Sequence, residues 1–132
     1  MRIMLKSAVI LSLFTQNTYA LQESIVGSDS EVECVVSNKE LNRIKVTNDR
    51  IRAVRVNSGE IEILEDKYLG EVYLKTLIHN PINMFVTTEK GYTYKLNLVP
   101  KKHPSEQIIL TNIALIHNQK QDLIEASDEN EI

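Results

Sequence analysis

The alternation of apolar and polar residues from Ile82 to Leu98 predicts a β-hairpin around which the chain is organised. Glu89-Lys90-Gly91 forms its loop, because Gly91 can adopt the left-handed conformation that closes a three-residue turn. If Thr88 pairs with Tyr92, one face becomes apolar: Ile82, Met84, Val86, Tyr94, Leu96 and Leu98. The opposite face is mostly polar: Asn83, Phe85, Thr87, Thr93, Lys95 and Asn97. A slip of one residue would mix the two sets, so we predict a sheet with one buried face.

Six further short stretches have the composition and alternation of strands, and none has a helical period. They are Glu31–Val36, Asn42–Thr47, Arg50–Val56, Glu60–Glu65, Glu71–Leu77 and Gln107–Leu110. About seven or eight short strands at regular spacing are typical of a sandwich or a small barrel. We predict an all-β fold, a single small antiparallel β-sandwich over residues 31–110.

A second hairpin is predicted around Ser58-Gly59. Its register places Arg55 opposite Glu62 and Arg52 opposite Glu65. Five basic residues in this part of the chain could instead form a patch for phosphates: Arg43, Lys45, Arg50, Arg52 and Arg55. Two of the five would meet carboxylates across the sheet, and a nucleic-acid footprint is normally more basic. We therefore predict no direct nucleic-acid binding.

The first twenty residues have the pattern of a secretory signal peptide. Arg2 and Lys6 precede an apolar run at 8–14, and Thr18-Tyr19-Ala20 offers a cleavage site. The run is too short to cross a membrane, so no membrane span is expected after cleavage. We predict a signal peptide at 1–20, a flexible lead-in at 21–30 and export of the mature protein from the cytoplasm.

Residues 111–132 allow two interpretations at their start. A stripe at helical spacing is compatible with a short helix: Ile113, Ile116, Lys120, Leu123 and Ile124. The apolar run 113–116 is equally compatible with an extension of the preceding strand. The chain then becomes acidic, with five carboxylates and no base after Lys120: Asp122, Glu125, Asp128, Glu129 and Glu131. This composition predicts a disordered acidic tail.

The sequence offers no catalytic, metal-binding or cofactor-binding constellation. Its three histidines, His79, His103 and His117, lack the close spacing of metal ligands. Cys34 is the single cysteine, so no internal disulfide can form; we predict a buried side chain, with an intermolecular bridge as the alternative. No cofactor and no enzymatic activity are expected.

An ordered set of short motifs resembles the N-terminal domain of TraK proteins, which belong to F-type conjugative type IV secretion systems. The residues that carry the resemblance are Ser37, Asn38, Asn42, Arg43, Ile44, Asp49, Arg50, Ile51, Thr87, Thr88, Glu89, Gly91, Pro100, Pro104 and Ile108. The set extends from about Glu31 to Leu110. Each motif also lies at a turn or a strand start, where Asn38 and Asp49 could serve as turn formers and Gly91 as a backbone requirement.

The resemblance implies a secretin-like β-sandwich in the periplasm of a Gram-negative bacterium, associated with the outer membrane. There it belongs to the core complex that surrounds the exit channel for DNA and pilus. The implied partners are a lipoprotein (TraV-like), an inner-membrane-anchored scaffold protein (TraB-like) and further copies in a ring. TraK proteins usually carry a second β domain, so we expect here either a truncated or split product or a separately encoded domain. The expected contact face for a neighbouring subunit carries Phe85 and Lys95.

The residues alone also allow a function of a different class. A small exported sandwich could act by itself as a periplasmic ligand- or glycan-binding module. That function would need a concave site in which Tyr68 or Tyr73 stands beside polar groups.

Overall fold

The computed structural model describes residues 20–27 and 29–128, which form nine strands and one helix. The strands are β1 (Ala20–Val26), β2 (Glu31–Ser37), β3 (Asn42–Val46), β4 (Ile51–Val56), β5 (Ile61–Asp66), β6 (Glu71–Thr76), β7 (Ile82–Thr88), β8 (Thr93–Lys101) and β9 (Glu106–Asn112). Helix α1 (Ile113–Asp128) follows β9 directly. Sheet A has the order β1-β9-β3-β6-β5, and sheet B has the order β2-β8-β7-β4. The all-β fold class is confirmed.

The predicted hairpin is β7 and β8, in the predicted register. Ile82 pairs with Leu98, Met84 with Leu96 and Val86 with Tyr94. All six side chains are buried, whereas Phe85 on the opposite face is exposed. At the loop, Gly91 has φ 90° and its N–H donates to the Thr88 carbonyl over 3.0 Å. The turn and the apolar alternation agree, which is why this element could be predicted locally.

The prediction of an antiparallel sandwich is wrong for part of each sheet, because the sheets are mixed. β1 and β3 both run parallel to β9, and β2 runs parallel to β8. The partners in these three pairs lie far apart in sequence and are joined by long excursions through the other sheet. Such pairings leave no turn signature at the strand ends, so a local pattern cannot reveal their direction.

The predicted second hairpin is wrong. β4 pairs with β7 in sheet B, and β5 pairs with β6 in sheet A. The segment around Gly59, with φ 84°, therefore crosses from one sheet to the other. The expected pairs of Arg55 with Glu62 and Arg52 with Glu65 do not form across one sheet. Both arrangements turn the same apolar side chains toward the core, so alternation alone does not distinguish them.

The two ends of the domain are more ordered than expected. The predicted lead-in at 21–30 contains all of β1 except Ala20, and β1 pairs along its whole length with β9. Its polar residues gave no sign of a strand in the sequence. After Leu110 the strand continues only to Asn112, and α1 begins at Ile113. The helix interpretation is therefore confirmed, and the extension of the strand over 113–116 is wrong. The acidic end is helical through Asp128. The predicted signal peptide at 1–20 lies outside the described residues except for Ala20, which begins β1. The last four residues lie outside them as well.

The core lies between the two sheets, and among the described residues it contains sixteen buried apolar side chains. Those with the largest fully buried side chains include Tyr94, Ile44, Leu74, Ile82, Met84, Leu96, Leu98, Ile108 and Leu110. They come from both sheets, so each sheet buries one face against the other as in other sandwiches. The outer faces remain available for contacts.

Candidate interaction surface

Ser37 and Asn42, the first pair of motif residues, tie the two sheets together at one end of the sandwich. The Asn42 side chain is fully buried at the start of β3. Its Oδ1 accepts from the N–H groups of Ser37 (2.8 Å) and Glu106 (3.1 Å). Its Nδ2 donates to the carbonyls of Ser37 (3.0 Å) and Leu74 (3.4 Å). One amide thus joins the end of β2 in sheet B to three strands of sheet A, a structural role for this motif residue.

Asn38 and Pro100 belong to the same end. The Asn38 N–H donates to the Lys101 carbonyl over 2.9 Å, which holds the turn after β2 against the end of β8. Pro100 lies within β8 opposite Val36, so the expectation of a turn or a strand start is wrong at this motif residue. β7 begins opposite Leu98, so at Pro100 one side of β8 has no strand to receive an N–H.

Asp49 and Arg50 lie at the other end, where three loops meet. Asp49 Oδ1 accepts from the N–H groups of Arg50 (2.7 Å) and Lys90 (3.2 Å). The Arg50 guanidinium donates through Nη2 to the carbonyls of Lys67 and Tyr68, both at 2.7 Å. The two motif residues therefore hold the β5–β6 turn and the β7–β8 turn beside the start of β4.

The Thr87-to-Gly91 turn is held from both sides. The Thr88 N–H donates to the Tyr92 carbonyl over 2.8 Å, and Thr88 Oγ1 accepts from the Tyr92 N–H over 3.2 Å. Thr87 and Thr93 share a hydroxyl–hydroxyl hydrogen bond of 3.1 Å across the hairpin. The motif residues here hold the turn itself.

The five basic residues do not form one patch. Arg43 and Lys45 lie on β3 in sheet A, whereas Arg50, Arg52 and Arg55 lie at or on β4 in sheet B. Arg43 makes a two-pronged ion pair with Glu71, at 2.8 and 2.7 Å, and this hydrogen bonding raises the pKa of Arg43. Arg50 lies 3.2 Å from a Glu89 oxygen. Within the described residues, Arg52 and Arg55 form no salt bridge.

The outer face of sheet B carries a row of four side chains in register. Arg55 of β4 pairs with Phe85 of β7, Phe85 with Lys95 of β8, and Lys95 with Glu31 of β2. Phe85 is 44% exposed, and Lys95 Nζ lies 3.7 Å from Glu31 Oε1. A shallow depression of about 320 Å³ lies over Arg55, Asn83, Phe85 and Lys95. An exposed aromatic ring between two cations can receive a ligand that is apolar in part and acidic in part.

Cys34 is buried as predicted, with 1% of its surface exposed. Burial, with a smaller contribution from the Glu33 carboxylate, raises the pKa of its thiol to about 11. A thiol in that state is a poor nucleophile. In the described part of the chain, no group of three or more His, Cys, Asp or Glu residues could hold a metal ion.

Comparison with protein-family models identifies the family. The model of the TraK N-terminal domain matches residues 26–119, which extend from the end of β1 into α1. The chain belongs to the TraK family. Comparison with curated proteins gives no match.

TraK proteins are structural components of secretion systems, so this chain is related to conjugation and type IV secretion and belongs to a periplasmic family. No helix in the described ranges is both long and apolar enough to cross a membrane. The residues matched by the TraK model include the motif residues at both ends of the sandwich and the row of Arg55, Phe85 and Lys95.

Three functional or structural positions were not anticipated from the sequence. Gln22 of β1 pairs through its side-chain amide with both backbone groups of Val35, at 2.6 and 2.9 Å. Asn112 donates to the Tyr94 hydroxyl, and Arg55 extends the Phe85 row. Only the last had a signal in the sequence, an arginine on the polar face of a strand, and its assignment to the wrong hairpin concealed it.

Proposed function

We propose that this domain is a structural interaction subunit of the outer-membrane-associated core of a conjugative type IV secretion system. Its task there is to help build the channel used for DNA transfer and pilus assembly. The observation that carries the proposal is the match of the TraK N-terminal domain to residues 26–119. The partners we propose are a TraV-like lipoprotein, a TraB-like scaffold protein and further copies of TraK-type chains in a ring.

The distribution of the motif residues supports an assembly role. Four motif residues form hydrogen bonds within the domain: Ser37 and Asn42 at one end, and Asp49 and Arg50 at the other. These hydrogen bonds tie strands and turns together at the two ends of the sandwich and do not involve its outer faces. Interface residues then have to come from those outer faces, and we place the first contact on the face with Phe85 and Lys95.

Plasmid transfer tests the proposal in the cell that encodes the protein. Deletion of the gene should lower the frequency of conjugative transfer, and the wild-type gene supplied in trans should restore it. A Leu96→Asp variant places a charge in the core and should fail to restore transfer, which serves as the control for a folded product. Unchanged transfer in the deletion strain would remove the support for a role in the channel.

A second candidate rests on one depression of sheet A. Tyr73 lies with Leu41, Leu64, Glu62 and Lys75 around a shallow volume of about 380 Å³ on the outer face near β5. An aromatic ring beside charged groups is compatible with binding of a small ligand or a glycan. A glycan array and calorimetry on the periplasmic form test this candidate. Binding that Tyr73→Ala abolishes would support it, and no binding across the array would remove it.

A further inference from the structure

We propose that the free edge of β4 docks an extended acidic segment of a partner protein, which adds as a fifth strand to sheet B. The segment would place its carboxylates against Arg52 and Arg55, the basic residues of β4. The inference rests on the proposed function, because it names the kind of partner segment that the outer face of sheet B receives.

The backbone groups at the two edges of sheet B differ in their hydrogen bonding. At the β2 edge, the Gln22 amide occupies both backbone groups of Val35, and the Asn42 amide occupies both backbone groups of Ser37. Each amide takes the place of a neighbouring strand, so this edge is closed at two alternate residues. β4 is the other edge strand of sheet B and receives no such amide in the described residues.

The start of β4 is also covered, which limits the open part. The Ile51 N–H donates to the Gly70 carbonyl over 2.8 Å, and the Arg50 side chain binds the same β5–β6 turn. A bulge follows between Ile51 and Ala53. Regular pairing with β7 then continues through residues 53–56, and the outer edge of this stretch is where an added strand can bind.

The charges on β4 select an acidic segment. Arg52 and Arg55 are both exposed, and within the described residues neither forms a salt bridge. Arg52 lines a depression that it shares with four carboxylates, whereas the depression at Arg55 is lined by no carboxylate, so Arg55 is the stronger site for an acidic side chain. Phe85 and Lys95 continue the row inward from Arg55. A second β4 edge would bring like charges together and is excluded by repulsion, whereas a strand with carboxylates on one face gains ion pairs.

The neighbouring edge of sheet A provides a contrast. β5 carries exposed Glu62 and Glu65 and no basic residue, so an acidic segment would gain no ion pair from this strand. The two open edges on this side of the sandwich therefore differ in charge.

A peptide probe tests the edge directly. The probe is a fluorescein-labelled peptide of about ten residues that alternates glutamate with threonine, which puts every carboxylate on one face of a strand. Its partner probe has lysine in place of glutamate. We expect saturable binding of the glutamate peptide that weakens as salt is added, and no saturable binding of the lysine peptide.

Charge reversal and amide exchange locate the site. Arg52→Glu with Arg55→Glu should weaken binding about tenfold or more. The charge-matched control, Lys39→Glu with Lys102→Glu in exposed loops, should leave it within about twofold. In the wild-type protein, backbone amide exchange at residues 53–56 should slow when the glutamate peptide is bound, and exchange in β5 should not. The exchange measurement needs no variant, so it tests the location of the site even if a variant fails to fold.

Four results would overturn the inference: equal binding of both peptides, no effect of the β4 reversal, protection only outside β4, or tighter binding of oligodeoxythymidylate than of the glutamate peptide. The last would assign the row to single-stranded nucleic acid. Failure here leaves the proposed function intact if the wild-type protein still co-purifies with channel subunits, so the two ideas fail separately.

Discussion

Asn112 donates a hydrogen bond from Nδ2 to the hydroxyl of Tyr94 over 2.8 Å, at the point where β9 becomes α1. Its Oδ1 accepts from the Ala114 N–H over 2.9 Å, which satisfies a donor in the first turn of the helix. Both side chains are buried. One amide therefore connects the central hairpin of sheet B to the start of the helix, so the core and the helix start depend on each other.

Tyr94→Phe should lower the free energy of unfolding by about 1–3 kcal/mol, because it leaves the Asn112 amide buried without this acceptor. Tyr94→Asp should prevent folding, because it puts a charge among fully buried side chains. Urea denaturation followed by circular dichroism measures both. A Phe variant as stable as the wild type would show that the hydrogen bond is not made in solution.

Asn42→Ala should be among the most damaging polar substitutions, with a loss of about 2–5 kcal/mol. It removes the acceptor for two buried N–H groups and the donor to the carbonyls that join β2 to sheet A. Asn83→Ala, at an exposed position of β7, is the matched control and should change stability by less than about 0.5 kcal/mol. Similar effects of the two substitutions would contradict the role of Asn42 as a tie between the sheets.

Gly70→Ala should destabilise more than Gly59→Ala. Both glycines have positive φ, 68° and 84°, so both substitutions incur backbone strain of about 1 kcal/mol. A Cβ at Gly70 would also lie 2.6 Å from Arg50 Cβ, whereas a Cβ at Gly59 meets nothing within 4 Å. Thermal unfolding of the two variants measures the difference. An equal loss of stability would mean that the Arg50 side chain does not pack closely against Gly70.

Stability should fall in mild alkali because of Cys34. Its pKa is raised from 9.0 to about 11 in the folded state, so the unfolded thiol ionises first and the stabilising contribution is lost as pH rises through that window. From pH 8 to pH 10 the wild type should lose about 1 kcal/mol more than Cys34→Ala, which has no thiol to ionise. Burial also raises the pKa of Tyr94, but that residue is present in both proteins and cancels. Parallel stability curves for the two proteins would contradict a buried neutral thiol.

The sequence alone predicts those elements whose geometry depends on residues close together in the chain. The β7–β8 hairpin follows from Gly91 and from six apolar residues in register, all of them within one short stretch. The partner of β4 does not follow, because Val54 and Val56 turn toward the core whether β4 joins β5 or β7. The parallel pairing of β1 with β9 joins segments at opposite ends of the domain, and its register depends on tertiary packing.

The candidate surface was predictable only in part. Phe85 and Lys95 follow from the polar face of one hairpin, but Arg55 joins them only once β4 lies beside β7. The closure of the β2 edge depends on the Gln22 and Asn42 amides reaching across from sheet A. Long-range placement of this kind leaves no spacing signal in the chain.

Co-purification from membranes tests the central claim most directly. The protein, tagged and expressed at its natural level, should be recovered in a large complex with a lipoprotein and a scaffold protein of a conjugative secretion system after mild detergent extraction. The Asn42→Ala variant provides a matched sample with a weakened fold. Recovery with those subunits is the predicted result, and recovery as a free monomer without any of them would contradict a role in the core complex.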